Sequence, residues 1–226
     1  MRKRNKLGIR YLIFFTGLIL VSFGIAIIAK SQLGNTPISS IPYTLSLIFP
    51  RFTLGNFTIM INFLFIALQG ILLRRNAHAF DILLQIPIVL LFGYVIDFFM
   101  WTMRNLDPQN YGVKLAVLLI GCLALALGAY LEVVGDVAML PADGLTNAIA
   151  KVSGKKFSTI KLITDSTQAV IALVLGLTIL HTTGGVREGT IIGALLVGNI
   201  VKVYARFLKL DERLGLNVPA AEEAIG

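Results

Sequence analysis

Asp165 lies in the apolar stretch 157–181, about 12 Å along a helix rising 1.5 Å per residue, while Lys161 stands nearer the surface. A charge at that depth in a bilayer is costly and faces a cavity or a partner. Desolvated, such a carboxylate binds a coupling proton; ionised, it helps to hold Na⁺ or a cationic solute. The plain alternative ties it to Asn62, Thr146 or backbone. Asp143 offers the same chemistry in the first turn of a helix opened by Pro141, where a carboxylate meets the positive end of the dipole. In Gly34-Asn35-Thr36-Pro37, the Asn or Thr caps a helix whose first turn holds Pro37. The freed N–H groups there attract an anion or the acceptor atoms of a substrate. The candidate solute contacts are therefore Asn35, Thr36, Pro37, Ser39 and Asn62, facing Asp143, Thr146, Asn147 and Asp165, with Asp165 and Asp143 as candidate carriers of a coupling ion or proton. Arg187 and Glu188 form either an outer gate or a capped turn.

No catalytic constellation competes with this one. His78 and His181 fall in loops on opposite sides of the membrane and make no metal pair, and Walker, GxSxG, HExxH and CxxC motifs are missing. The single cysteine, Cys122, sits in the apolar run 115–131 and reads as a buried packing residue. The expectation is a protein that is not an enzyme, with no metal and no cofactor.

The elements that position these residues follow from composition. Of 226 residues, 56% are hydrophobic and 14% charged, whereas an ordinary soluble domain carries roughly 25% charged residues. A globule of this size cannot hide so much apolar surface, so lipid must be the outer solvent. The net charge of +8 is spread in short clusters between apolar runs, which reads as membrane topology and excludes a nucleic-acid face. The positive start imitates a signal peptide, but the run from Tyr11 to Ala29 is too long and has no cleavage site, predicting a retained span.

Six stretches suffice to cross about 30 Å of hydrocarbon, near 8–30, 54–73, 81–103, 113–134, 157–181 and 187–208. Two more, Leu33 to Pro50 and Met139 to Gly154, are broken by Gly and Pro and read as half-helices. Broken backbone at membrane depth survives only where protein or a watery cavity surrounds it, so both mark an internal pathway. If both are re-entrant, Arg74, Arg75, Lys151, Lys155, Lys156 and the basic residues near Lys202 all fall on the side of the basic N-terminus. That predicts an all-α polytopic protein with six spans, two re-entrant half-helices and both termini cytoplasmic, with a polar, disordered tail after Leu210.

The order span, half-helix, span, span occurs twice at an offset near 104: Pro37 with Pro141, Asn62 with Asp165, Gly93 with Gly198. Residues 8–103 and 113–208 are read as repeats, joined by an external loop at 104–112 between the basic start 1–7 and the tail 209–226. Three crossings per copy insert the second copy upside down, the arrangement of many secondary transporters. Asp97 and Lys202 match in the repeat but fall at opposite membrane faces and read as interfacial. Glu132 and Asp136 either line a cytoplasmic vestibule or are simply solvated at a helix end, while Tyr94, Trp101 and Tyr111 read as interface aromatics.

The segments Leu33–Tyr43, Leu84-Gln85-Ile86-Pro87 and Gly185–Gly198 resemble the YczE/YyaS/YitT group of bacterial membrane proteins. The likeness runs from about 8 to 208 and is nearer the YczE-like branch, without the C-terminal soluble domain of YitT-like members. It implies a multi-pass protein of the bacterial cytoplasmic membrane and brings no substrate. The residues themselves predict a small-solute transporter working by alternating access, with the lipid bilayer and a small solute or ion as partners and room for a homo-oligomer. A re-entrant-helix channel, and a non-transporting subunit or assembly factor of a larger complex, are the alternatives.

Overall fold

The protein is described from a computed structural model over residues 7–73 and 79–216. The expectations placed on the basic N-terminus up to Lys6, on Arg74, Arg75 and His78, and on the tail beyond Leu216 lie outside the described residues. Within them the chain is helical throughout: α1 Leu7–Lys30, α2 Pro37–Ile48, α3 Leu54–Leu73, α4 Ala79–Thr102, α5 Tyr111–Gly135, α6 Pro141–Ser153, α7 Phe157–Leu175, α8 Glu188–Leu208 and α9 Leu210–Leu214. The end of α7 widens into a π-helical turn, Gly176–Leu180. Six of these helices, α1, α3, α4, α5, α7 with its π turn, and α8, are long and apolar enough to cross a membrane. Their bounds fall close to the six stretches predicted from sequence, and the two short helices α2 and α6 coincide with the two broken segments.

α1 and α5 form the centre. Phe14, Leu18 and Ile28 of α1 and Leu118 and Cys122 of α5 are fully buried, and α4 adds Ile88, Phe92 and Ile96. Glycine permits this closeness. A methyl group on Gly17 would stand 2.7 Å from the carbonyl oxygen of Gly128, and one on Gly24 2.9 Å from that of Gly121. Small residues let two helix backbones touch where lipid supplies no hydrophobic drive between helices. Because Gly17 meets Gly128 while Gly24 meets Gly121, α1 and α5 run antiparallel.

Around this pair, α4 packs on α1 and α8 on α5, and a second group closes on itself as α2 on α3, α3 on α6, α6 on α7 and α7 on α2. α3 also packs on α4 through Gly55 and Gly93. Here Asp97 does more than sit at an interface. Its Oδ1 accepts the Gly55 N–H at 2.8 Å and its Oδ2 the Thr53 hydroxyl at 2.5 Å, so a side chain from α4 caps the start of α3. Loss of a helix cap costs about 0.5–2 kcal/mol. Asp97→Ala should therefore lower the Tm by a few degrees, and Asp97→Asn, which keeps one acceptor, by less; thermal unfolding of the purified protein measures both.

The chain after α8 departs from the expected disorder. α9 is folded back so that the Leu210 N–H donates to the Tyr130 hydroxyl at 2.9 Å, and Leu216 is buried against Tyr130, Val134 and Ala205. Arg10 clamps the same corner, pairing with Asp136 at 3.0 Å and donating to the Leu216 carbonyl at 2.7 Å. Asp136 thus ends α5 in a left-handed turn, φ 47°, tied to α1.

Candidate functional site

Two clusters of polar residues lie inside this apolar bundle, one at the start of each short helix. Both helices open on proline at the first position, where its missing N–H and fixed φ do no harm. The residues before them share a conformation: Thr36 at φ −60°, ψ 153° and Leu140 at φ −61°, ψ 149°.

At the start of α2, neither Asn35 nor Thr36 caps the helix through its side chain, as their types suggested. Asn35 Oδ1 instead accepts the N–H of Thr36 at 2.8 Å, and the Asn35 N–H donates to the Gly185 carbonyl at 2.9 Å. Asn35 is fully buried and Thr36 3% exposed, yet Asn35 Nδ2 and Thr36 Oγ1 find no hydrogen-bond partner among the described residues. Ser39, one turn on, is buried as well. A buried polar group left without a partner costs about 1–3 kcal/mol, so a chain keeps one only for a reason.

This cluster is fixed by the segment before α8. The Gly189 N–H donates to Leu33 at 2.7 Å, the Gly185 N–H to Thr44 Oγ1 at 3.0 Å, and Arg187 Nη1 to the Gln32 carbonyl at 3.1 Å. Thr190 Oγ1 accepts the Arg187 N–H at 3.2 Å, and the Arg187 side chain meets Glu188 at 3.6 Å. Arg187 and Thr190 thus form a capped turn at the start of α8. Gly34 makes it possible with φ +95°, and a methyl there would come within 2.7 Å of the Arg187 nitrogen. Gly34→Ala should cost about 1–3 kcal/mol in strain plus the clash. Gly154→Ala, left-handed at φ +67° but in open space, should cost less; comparing the two Tm values separates clash from strain.

At the start of α6 the residues are charged. Lys161 reaches between the two carboxylates singled out in the sequence, 2.8 Å from Asp143 Oδ1 and 3.1 Å from Asp165 Oδ1. The three side chains are 29%, 38% and 26% exposed, so they are half-buried. Asp165 is thus tied to neither Asn62 nor Thr146, but to the lysine one turn before it. Thr146 Oγ1 bonds the Ala142 carbonyl and lies 3.1 Å from Thr164 Oγ1, and Asn147 Nδ2 is 3.6 Å from Met139 Sδ. Asn62 is buried on α3 with its Nδ2 on the Thr58 carbonyl at 2.8 Å.

Glu132, read from sequence as vestibule lining or helix-end solvation, lies within electrostatic reach of Asp143, and its buried Oε1 has no partner among the described residues. Two residues escaped the sequence reading. Gln168 is 7% exposed on the same face of α7 as Lys161 and Asp165, and its Oε1 also lacks a partner. Its signal was spacing, since a polar residue three after Asp165 shares its face. The second, Gln69, pairs with Gln85 at 3.2 Å in both directions and donates to the Pro141 carbonyl at 2.9 Å, holding the start of α6 against α3 and α4. The structure therefore groups Asp143, Thr146 and Asp165 in one cluster and Asn35, Thr36 and Ser39 in the other. No described hydrogen bond or ion pair joins the two; α3, which carries Asn62, packs on both short helices.

Comparison with known proteins gives a consistent setting. The model of a family of unknown function, DUF6198, matches residues 8–206. The chain is 26% identical over 196 residues to the uncharacterized protein YyaS of Bacillus subtilis (strain 168), covering 86% of this chain and 92% of that one. It is 25% identical over 202 residues to the uncharacterized membrane protein YczE of the same organism, covering 88% and 86%. No solved structure matches at a significant level.

Proposed function

The chain belongs to DUF6198, a family of unknown function, and from that premise we propose that it is a small-solute transporter working by alternating access in the bacterial cytoplasmic membrane. Both termini are cytoplasmic in this reading, and residues 8–103 and 113–208 are inverted-topology repeats whose half-helices, α2 and α6, dip in from opposite faces.

Several features support the repeat. Gly121 and Gly128 follow Gly17 and Gly24 by 104 residues, so the contacts Gly17 with Gly128 and Gly24 with Gly121 exchange into each other when the halves are swapped. Gln32 and Asp136, also 104 apart, are both left-handed, at φ 61° and φ 47°. Each is bonded to a basic residue of the other half, Lys114 at 2.7 Å and Arg10 at 3.0 Å. The pairings α1 with α4 and α2 with α7 likewise exchange into α5 with α8 and α6 with α3. Discontinuous helices meeting in an inverted pair are how many secondary transporters build a binding site.

One observation carries the function: buried polar side chains elsewhere, such as Ser22, Thr58, Gln69 and Gln85, are hydrogen-bonded, whereas unpartnered donors are buried at the start of α2 and unpartnered acceptors around the start of α6. A solute supplies the missing partners, and rocking of one repeat against the other exposes it to each face in turn. The test is exchange in proteoliposomes. Vesicles loaded with a mixture of amino acids, amines, organic acids and sugars are diluted into the same mixture carrying heavy isotopes, and uptake is read by mass spectrometry. Saturable exchange of one chemical class is expected. Flux that rises linearly to high concentration, or folded protein that exchanges none of the four classes, would overturn the reading.

A further inference from the structure

The two poles differ in chemistry, and the difference names part of the solute. Around the start of α6 two carboxylates, Asp143 and Asp165, share one ammonium, Lys161, and the Glu132 side chain lies within electrostatic reach of Asp143. Gln168 adds an amide oxygen that is nine-tenths buried and accepts from nothing described. The two carboxylates outnumber the one ammonium, and the buried Gln168 oxygen is left without a donor.

Packing alone does not call for this charge. The positions matching Asp143, Lys161 and Asp165 in the first half are Ser39, Thr58 and Asn62, at offsets of 104, 103 and 103. All three are buried and neutral, and α2 packs on α3 there as α6 packs on α7. A half-buried ion pair is poor evidence for a stabilising role, because desolvation offsets much of the attraction.

We infer that the start of α6 binds the primary ammonium group of the carried solute, and that the Lys161 ammonium holds that position between turnovers. Lys161 shows that the place fits such a group, with two carboxylate oxygens at 2.8 and 3.1 Å from one nitrogen. An ammonium has three N–H donors, enough for both carboxylates and one further acceptor, and Gln168, three residues after Asp165 on the same face of α7, holds a buried oxygen without a donor. When the solute enters, its ammonium takes the carboxylates, and the flexible lysine stem withdraws the tethered one. The inference rests on the transporter reading above and adds the class of solute.

Thermal unfolding of the full-length protein in detergent tests it, with ethylammonium chloride as the probe and sodium chloride at equal concentration as the metal-ion arm. A saturating rise in Tm with ethylammonium is expected for the wild type, with little from sodium. Asp165→Asn should lose it. Lys161→Ala, freed of its internal competitor, should reach half-saturation at about tenfold lower concentration; should that variant not fold, the wild type and Asp165→Asn decide. The inference is overturned by an equal response to sodium, or by no saturating rise in the wild type. If the wild type exchanges solute in vesicles yet ignores ethylammonium, the ammonium assignment falls and transport stands. If it responds to ethylammonium but exchanges nothing, transport falls alone.

Discussion

Asp165→Asn is expected to abolish solute exchange while leaving the folded protein within about 1 kcal/mol of the wild type. The two effects separate because Lys161 has two partners. With Asp165 neutral, Lys161 keeps Asp143 at 2.8 Å, and that pair stays compensated. What is lost is the surplus negative charge that a cationic group can use. Lys161→Ala inverts the pattern by leaving carboxylates with no cation. Breaking a fully buried pair costs about 3–5 kcal/mol. These side chains are 26–38% exposed, so about 2 kcal/mol is the better expectation, or a Tm lower by roughly 4–8 °C. Adding Asp165→Asn to Lys161→Ala should regain part of that loss, since neighbours in one network do not add. Asp165 would be structural if its asparagine variant unfolded as early as Lys161→Ala while exchange persisted.

Gly128→Leu should leave no folded monomer. Even a methyl group at this position would stand 2.6 Å from the backbone nitrogen of Val21 and 2.7 Å from the carbonyl oxygen of Gly17. Side-chain overpacking costs about 1–3 kcal/mol because rotamers give way. Here the obstacle is the backbone of the facing helix. α1 would have to move off α5, pulling Val21 from Gly128 and Phe14 from Gly135, and the cost should exceed about 3 kcal/mol. Size-exclusion chromatography should show aggregate only. Gly8→Leu is the control, since a methyl on Gly8 meets nothing within 4 Å, and it should elute as the wild type.

The spans were legible because crossing lipid needs only length and apolarity, both one-dimensional properties. Pro37 and Pro141 were legible as helix openers for a similar reason, since proline acts on its own backbone. Partners across helices were harder. Asp165 was visible as a charge in an apolar run, yet its link to Lys161 depends on Asp143 arriving from α6 to share the ammonium, although the four-residue spacing already allowed the pair. Asp97 read as interfacial because nothing local reveals that α4 brings it to the bare N–H of Gly55. Glutamines 69 and 85 are separated by residues 74–78, and only the packing of α3 on α4 joins their amides. Asn35 illustrates the limit most sharply, because a residue type favoured at helix caps turned its oxygen to the next N–H and left its amide nitrogen unused.

The interleaving of the two halves has a consequence for how the molecule comes apart. α1 finds its main neighbour in α5, α3 packs on α6, and α2 packs on α7, so the most extensive helix contact and two others join opposite halves of the sequence. Neither half retains a complete interior when separated. Mechanical pulling or detergent unfolding should therefore proceed in a single cooperative step. Peptides 7–102 and 111–216, produced as separate polypeptides in one cell, should be degraded when alone and rescued when together.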